Sequence, residues 1–333
     1  MLENQSLNSL KNKKNLLAFS AGVDSSALFF LLLEHDIEFD IAIVNYNTRQ
    51  KSQEELNYAK ELAATHNLTC HTLDAPKIKN NFEAKAREIR YDFFEGLIKN
   101  HNYNNLITAH HLGDRFEWML MQFCKGAGCA EIAGMVKESN RGFYTLLRPL
   151  LHLDKKELLN YLHVNNFKYF EDESNLDEDI KRNSFRHNYS APLIEKYISG
   201  IKKSFEYLDE DRDTLIPTIE IKNIDNFAYF ESSKNQRADI FAIDKYLKSK
   251  LYMLSATERE LLKNEKSLIV GRKFIITQNM NYVFIAPYEL QKSKMEKDFK
   301  EQCRVLKIEP KLRPYLYENR DAFLKIKELL NTI

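Results

Sequence analysis

Between residues 15 and 124, short apolar runs of strand length alternate with longer stretches of helical period. This alternation restricts the fold more than any other feature of the chain. Leu16–Phe19, Asp40–Asn45, Thr69–Leu73 and Asn105–His110 read as strands, and Ser25–Glu34, Ser52–His66, Phe82–Lys99 and Asp114–Cys124 as helices. Such alternation implies an α/β fold, a doubly wound parallel sheet covered by helices on both faces. Ligands in these sheets sit beyond the carboxyl ends of the strands. Two loops fall at that edge: Ser20–Ser26 after the first strand, and the loop carrying His110 and His111 after the fourth.

The sheet region ends at Arg148-Pro149-Leu150-Leu151. Asp154-x-x-Glu157 resembles an acidic capping box and opens a helix to about Asn165. Residues 171–190 are strongly charged without a clear period, and Pro192 marks a boundary. The expected domains are 1–195 and 196–333. Beyond Pro192 the sequence reads as helical to about Leu262. "SLIVGRKFIITQNMNYVFIAP" then reads as a β-hairpin turning at Gln278-Asn279-Met280-Asn281. The second domain is thus expected to be smaller and mainly helical, with one hairpin.

The chain has 333 residues, 44% of them hydrophobic, enough for a substantial core. Its longest apolar run, Ala27 to Leu33, is too short to cross a bilayer, and the polar N-terminus lacks the apolar core of a signal peptide. Four cysteines form no C-x-x-C pair, which fits a reducing cytoplasm. The net charge of +1 says little about partners. From Gln291 to Ile333 eight Lys and three Arg face seven acids, a local net of +4 that suits a phosphate backbone or a solvated helical surface. Oligomeric state is not readable, and a homodimer stays open.

Ser20-Ala21-Gly22-Val23-Asp24-Ser25-Ser26 lies between a strand and a helix, where unpaired N–H groups and the helix dipole favour an anion. Gly22 would allow close backbone approach, and the serines add hydroxyl donors. Asp24 cannot bind phosphate itself and would hold Mg²⁺ or orient the loop. The Walker loop and the G-x-G-x-x-G fingerprint are both absent. An ordinary strand–turn–helix with serine caps carries the same residues.

"SAGVDS" resembles the S-G-G-x-D-S pyrophosphate loop (PP-loop) of ATP pyrophosphatases that adenylate a carbonyl oxygen, with Ala21 at a usual glycine. "VNYNTRQKSQEE" (44–55) is similar to the V-N-H-G-L-R-x-x-S-x-x-E segment of tRNA(Ile)-lysidine synthetases, with Tyr46 and Asn47 replacing His and Gly. "FEAKAREIRYDFF" (82–94) resembles their E-A-x-A-R-x-x-R-Y helix, placing Arg87 and Arg90 on one face. "ITAHHLGDRFEWML" (107–120) keeps A-H-H-x-x-D-x-x-E through His110, His111, Asp114 and Glu117. Gly113 stands where an acid is common, so that acid is not essential here. Asp114 and Glu117, three apart at a helix start, can face one pocket; paired carboxylates suit a metal, an ammonium group or proton transfer. Zinc protease chemistry is disfavoured because the H-E-x-x-H spacing is missing. "CKGAGCAEIAGM" (124–135), "LLRPLLHLDKKELLNYL" (146–162) and "EDESNLDEDIKRNSFRH" (171–187) resemble three further family segments in order. The resemblance covers roughly 15–190 and is thin beyond about 195. The chain also looks short for the family, as if one common C-terminal module were missing.

The resemblance implies a two-step ligation on the wobble cytidine of a CAU-anticodon tRNA(Ile). ATP adenylates the base carbonyl oxygen and releases pyrophosphate; the ε-amine of L-lysine then displaces AMP, giving lysidine. It assigns ATP to Ser20, Ala21, Gly22, Val23, Asp24, Ser25, Ser26, Asn45 and His110, with Mg²⁺ near Asp24. It gives catalytic work to Asp114, Glu117, Arg182 and Arg186, the arginines offsetting phosphate or base charge and either acid holding lysine and taking its proton. Substrate contacts fall on Arg87, His111, Lys125, Gly126, Gly128, Asn175 and Asn183. A PP-loop tRNA thiolase uses the same loop but needs a persulfide cysteine or a cluster on C-x-x-C pairs, which Cys124 and Cys129 do not match. A non-catalytic tRNA binder is the third reading, favoured by Ala21, Tyr46 and Gly113.

Overall fold

The computed structural model describes residues 1–47, 51–171, 181–217, 219–279, 281–288 and 294–331. The chain forms two compact units, Met1–Glu210 and Asp211–Ile333. In the first, the elements are α1 (Asn4–Leu10), β1 (Asn15–Ala18), α2 (Val23–Glu34), β2 (Phe39–Asn45), α3 (Lys51–Thr65), β3 (Cys70–Asp74), α4 (Phe82–His101), β4 (Asn105–Ile107), α5 (Leu112–Phe123) and α6 (Cys129–Ala133). They continue with β5 (Glu138–Asn140), β6 (Thr145–Leu147), α7 (Lys155–Val164), α8 (Lys181–Phe185), a π-helical turn Arg186–Ser190, and α9, which spans Ala191–Leu215.

The six-stranded sheet has the order β3-β2-β1-β4-β6-β5, parallel except for the edge strand β5. Successive side chains of β1 serve opposite faces, as a strand requires. Leu17 packs with Phe29, Ile41, Leu158 and Leu162 on one side, while Leu16 packs with Phe94, Ile98, Leu106 and Leu146 on the other. Both faces are covered, as the alternation predicts. The chain runs outward through β1, β2 and β3 and then returns to place β4 on the other side of β1. The switch point therefore lies between β1 and β4.

Helix α7 starts with the expected box: the Asp154 carboxylate accepts from Glu157 N at 2.7 Å, and Glu157 accepts from Asp154 N at 2.8 Å. The division between units falls after Glu210, further along than the expected 195, because the helix beyond Pro192 continues to pack. Ile194, Ile198, Ile201, Phe205 and Leu208 of α9 lie against Leu112, Phe116, Met119 and Leu120 of α5.

In the second unit β7 (Lys222–Ile224), β8 (Phe227–Glu231), α10 (Gln236–Ser249), α11 (Ala256–Asn264), β9 (Ser267–Val270), β10 (Phe274–Gln278) and β11 (Tyr282–Pro287) precede α12 (Lys297–Val305), α13 (Arg313–Glu318) and α14 (Arg320–Asn331). The expected hairpin is β10–β11, paired from Gln278↔Val283 to Phe274↔Pro287. It sits within a five-stranded antiparallel sheet of order β7-β8-β11-β10-β9. The stretch read as helical to Leu262 thus contains two strands. Phe227 and Tyr229 of β8 join the core under α12, α13 and α14, while Ala228 and Phe230 join the core under α10 and α11. A strand buried on both faces shows no alternation, which removes its sequence signal.

Candidate active site

The loop after β1 is held from within and from outside. Ser25 Oγ accepts from Ser20 N at 3.2 Å, lies 3.1 Å from Ser20 Oγ, and donates to the Gly22 carbonyl at 3.2 Å. Ala21 has φ 59° and is fully buried. Its carbonyl accepts from Phe170 N at 2.9 Å, which secures the left-handed turn against a local cost of about 1–2 kcal/mol. The left-handed residue is therefore Ala21. Gly22 is extended (φ −76°), and a side chain there would make only ordinary contact, 3.5 Å from Ser20 Oγ. Val23 begins α2 and Asp24 follows in its first turn. Asp24 Oδ1 and Ser26 Oγ are buried without a hydrogen-bond partner.

Strand β4 stops at Ile107, so Thr108–His111 form a loop at the same edge, and α5 begins at Leu112. His111 caps α5: its Nδ1 accepts from Gly113 N at 3.0 Å, and Asp114 Oδ2 accepts from His111 N at 3.1 Å. His111 Nε2 lies 3.8 Å from Asp24 Oδ2 and 3.6 Å from Asp114 Oδ2, tying the two loops together across the switch point.

Behind this contact is a four-charge cluster. Asp114 Oδ1 accepts from Arg182 Nη2 at 2.9 Å and lies 3.5 Å from Arg186 Nη2. Glu117, 1% exposed, accepts from Arg182 Nε and, at 3.0 Å, from Arg186 Nε. Arg182 in α8 and Arg186 at the start of the π-helical turn are four residues apart, and both guanidiniums reach the same pair of acids. Burial alone would push the Asp114 carboxyl up, but His111, His110 and Arg182, with the His111 N–H, hold it well below the usual range. Arg182 is raised despite burial, by Asp114 and Glu117. His110 hydrogen-bonds Thr108 Oγ1 at 2.9 Å. Burial pushes its pKa down to about 4; Asp114 opposes this, and Arg148, Arg87 and Arg182 add to it. The imidazole is therefore neutral at pH 7.

Other expected residues lie around this centre. Asn45 is fully engaged: it donates to Asn47 at 2.9 Å and Asp74 at 3.0 Å, and accepts from Asn47 N at 3.0 Å. Its visible work is to build the turn in which Asn47 has φ 51°. Tyr46 donates to the Ala86 carbonyl at 2.8 Å, joining that turn to α4. Arg87 is exposed and stacks on Tyr91 at 4.7 Å. Lys125 and Gly126 (φ 76°) lie on the exposed loop after α5, and Gly128 caps α6. Asn183 is buried in α8. Asn175 lies outside the described residues.

Two arginines escaped the sequence reading. Arg115 is 3% exposed, donates to the Ala133 carbonyl at 3.1 and 3.0 Å, and pairs with Asp209 at 2.6 Å, fastening α5 to α6 and α9. Arg148, just beyond β6, is 7% exposed. Its signal was the Arg-Pro pair at a strand end.

Residues 2–192 match the ATP_bind_3 family, a PP-loop domain. The U34-tRNA thiolase NcsA from Methanococcus maripaludis shares the fold, with a TM-score of 0.51 and 16% identity over 62% of this chain and 77% of its own. The sheet, its switch-point loop and these matches define a protein of the PP-loop ATPase class. Over 93% of its length the chain is 45% identical to the tRNA(Ile)-lysidine synthase of Helicobacter pylori (strain ATCC 700392 / 26695), covering 91% of that protein. The tRNA(Ile)-lysidine synthase of Campylobacter jejuni (serotype O:2) is 42% identical over 96% of this chain and 97% of its own. This chain belongs to the tRNA(Ile)-lysidine synthase family.

Proposed function

We propose that this protein is an ATP-dependent ligase that joins L-lysine to the wobble cytidine of a CAU-anticodon tRNA(Ile), forming lysidine with release of pyrophosphate and AMP. The observation that carries the reading is the meeting of an anion cradle and a carboxylate–arginine cluster at one switch point, in a chain of this family. Ser20–Ser26 grips the departing pyrophosphate through backbone N–H groups and hydroxyls. The orphaned Asp24 Oδ1 fits Mg²⁺, which binds through one or two carboxylates together with substrate phosphates. That ion would supply charge neutralisation on the phosphates.

Cytidine's oxygen leaves poorly, and adenylation turns it into a phosphate ester that leaves readily. Arg182 and Arg186 keep Glu117 through their Nε atoms and turn the Nη groups that now face Asp114 to the incoming phosphate. Asp114, so released, holds the lysine ammonium and accepts its proton, and the freed amine attacks the adenylated base carbon as the carbon–oxygen bond to AMP breaks. Glu117, its two oxygens engaged by the arginines, keeps them in register. Lys125, Gly126, Gly128 and Asn183 would contact the substrate, and the second unit would contact the tRNA away from the anticodon. Among the described residues no helix is long and apolar enough to cross a membrane, in keeping with a cytoplasmic enzyme.

Protein, ATP, L-lysine and CAU-anticodon tRNA, assayed for both pyrophosphate and lysidine, provide the test. Both products are expected. Pyrophosphate with a thiolated base would support a thiolase instead, and tRNA binding with neither product would support a non-catalytic binder.

A further inference from the structure

At the carboxyl end of β6 one buried cation has no counter-charge. Arg148 Nη1 donates to the Val136 carbonyl at 2.9 Å, while Nε is buried without a partner. Among the described residues no carboxylate pairs with it. Burial, together with the neighbouring cations Arg141 and Arg87, pushes its pKa down to about 10 against a favourable effect of Tyr91. The comparison with Arg115 is instructive. That side chain is buried to a similar degree, but Asp209 and the Ala133 carbonyl satisfy it. Burying a guanidinium is unfavourable unless an anion pairs with it.

The surroundings indicate what would supply one. Arg148, Arg87 and Arg182 all act on the neutral imidazole of His110, so positive charge converges on this corner of the sheet edge. β6 lies two strands from β1 in the order β1-β4-β6, roughly 10 Å across the sheet from the strand that leads into the pyrophosphate loop. We propose that Arg148 binds a phosphoryl oxygen of a substrate at the carboxyl end of β6, with Arg87 at the rim of the site. The inference rests on the reading of this edge as the reaction site. The phosphoryl group has two possible sources, the α-phosphate of the nucleotide or an RNA phosphodiester beside the modified base.

The test compares wild type with Arg148→Met, which removes the charge but fills the space, and Arg148→Lys, which keeps the charge and loses the fork. Binding is measured in two arms, Mg·ATP by calorimetry and a CAU anticodon stem-loop by filter retention. Arg148→Met should weaken one arm about ten- to a hundredfold, the effect of losing one charge-assisted hydrogen bond, and Arg148→Lys should recover part of it. Loss in the ATP arm assigns the α-phosphate; loss in the RNA arm assigns the phosphodiester. The ligand-free Arg148→Met protein should unfold at or above the wild-type temperature. Unchanged binding in both arms, or a Tm drop beyond about 5 °C in that variant, would overturn the proposal. Failure of wild type to bind either ligand would instead overturn the functional reading itself.

Discussion

Replacing Glu117 by Gln keeps the side chain's size and removes one charge from a cluster of two acids and two guanidiniums. Glu117 is 1% exposed and accepts from the Nε of both Arg182 and Arg186. In the variant both arginines share Asp114 alone, and the new amide must turn an N–H toward one of them. Breaking a fully buried pair costs about 3–5 kcal/mol. The side chains of Arg182 and Arg186 are 36% and 28% exposed, so solvent screening reduces this to about 1.5–2.5 kcal/mol. For a unit of this size that lowers Tm by roughly 3–10 °C. Thermal unfolding followed by circular dichroism measures it. A cycle with Arg186→Gln should show coupling of at least about 1 kcal/mol. A Glu117→Gln loss under about 0.5 kcal/mol, or additivity in the cycle, would refute the cluster as an energetic unit. In the reaction, pyrophosphate release and lysidine formation should fall together, because Glu117 positions the arginines. Adenylated tRNA building up at the wild-type rate would instead assign Glu117 to the lysine step.

Asp24→Asn should abolish tRNA-dependent pyrophosphate release with little change in Tm, since Asp24 Oδ1 has no hydrogen-bond partner and Oδ2 makes only a 3.8 Å contact to His111; normal release would take the loop out of the chemistry. Gly134→Ala should destabilise by about 2 kcal/mol or more in urea titration: Gly134 has φ 68° and ψ −128°, and a Cβ would lie 2.9 Å from Trp118 Cδ1. His110 is neutral in the fold, with its pKa depressed from 6.5 to about 4. Its contribution is thus complete above about pH 6.5 and is lost as pH falls toward 4, by roughly 2–3 kcal/mol. His110→Gln should flatten the stability–pH curve in that window. A truncated chain ending at Glu210 should keep ATP binding but lose most tRNA affinity and salt dependence. An unchanged affinity and salt slope would make the second unit's basic residues a solvated surface.

The first unit was largely legible through β4 because β1, β2 and β4 are short apolar runs separated by stretches of helical period, whereas β5 and β6, three residues each, are too short to show a period. Leu16–Phe19 and Asp40–Asn45 fall within a residue of β1 and β2. The fourth strand was read through His110 but stops at Ile107, because His111 caps α5 and the chain must turn to let it. That cap uses a histidine in place of the usual Ser, Thr, Asp or Asn, so the start signal was invisible. The pairing of Asp114 with Glu117 and of Arg182 with Arg186 followed from helical spacing, whereas the meeting of the two pairs depends on how α5 packs against the segment Lys181–Ser190. Arg115 and Arg148 were missed for a related reason: what distinguishes them is burial and the presence or absence of a partner, which only packing decides, and the Arg-Pro pair marked the strand end without marking Arg148 as buried. In the second unit β8 is buried on both faces, so the strand period vanished and a helical reading took its place.

The departures from the family pattern each sit where local structure accounts for them. Ala21 replaces a glycine at a positive φ; the penalty is small for alanine, and the Phe170 N–H secures the turn. Asn47 also replaces a glycine at positive φ, and asparagine is among the residues that tolerate it best. Tyr46, in place of histidine, spends its hydroxyl on the Ala86 carbonyl, so at this position the side chain fastens a loop to a helix. Gly113 is the most consequential. A Cβ there would lie 2.6 Å from His111 Cε1, so an acid at 113 and the observed ring position exclude one another. With glycine present, the ring lies over the helix start and its Nε2 reaches between Asp24 and Asp114. The missing acid and the placement of His111 are thus one change, and its effect is to put the ring Nε2 between the pyrophosphate loop and the carboxylate–arginine cluster. A degenerate site would show its losses as unsupported gaps. Here each substitution is matched by a contact or a conformation that keeps the switch point assembled, which argues for a working enzyme.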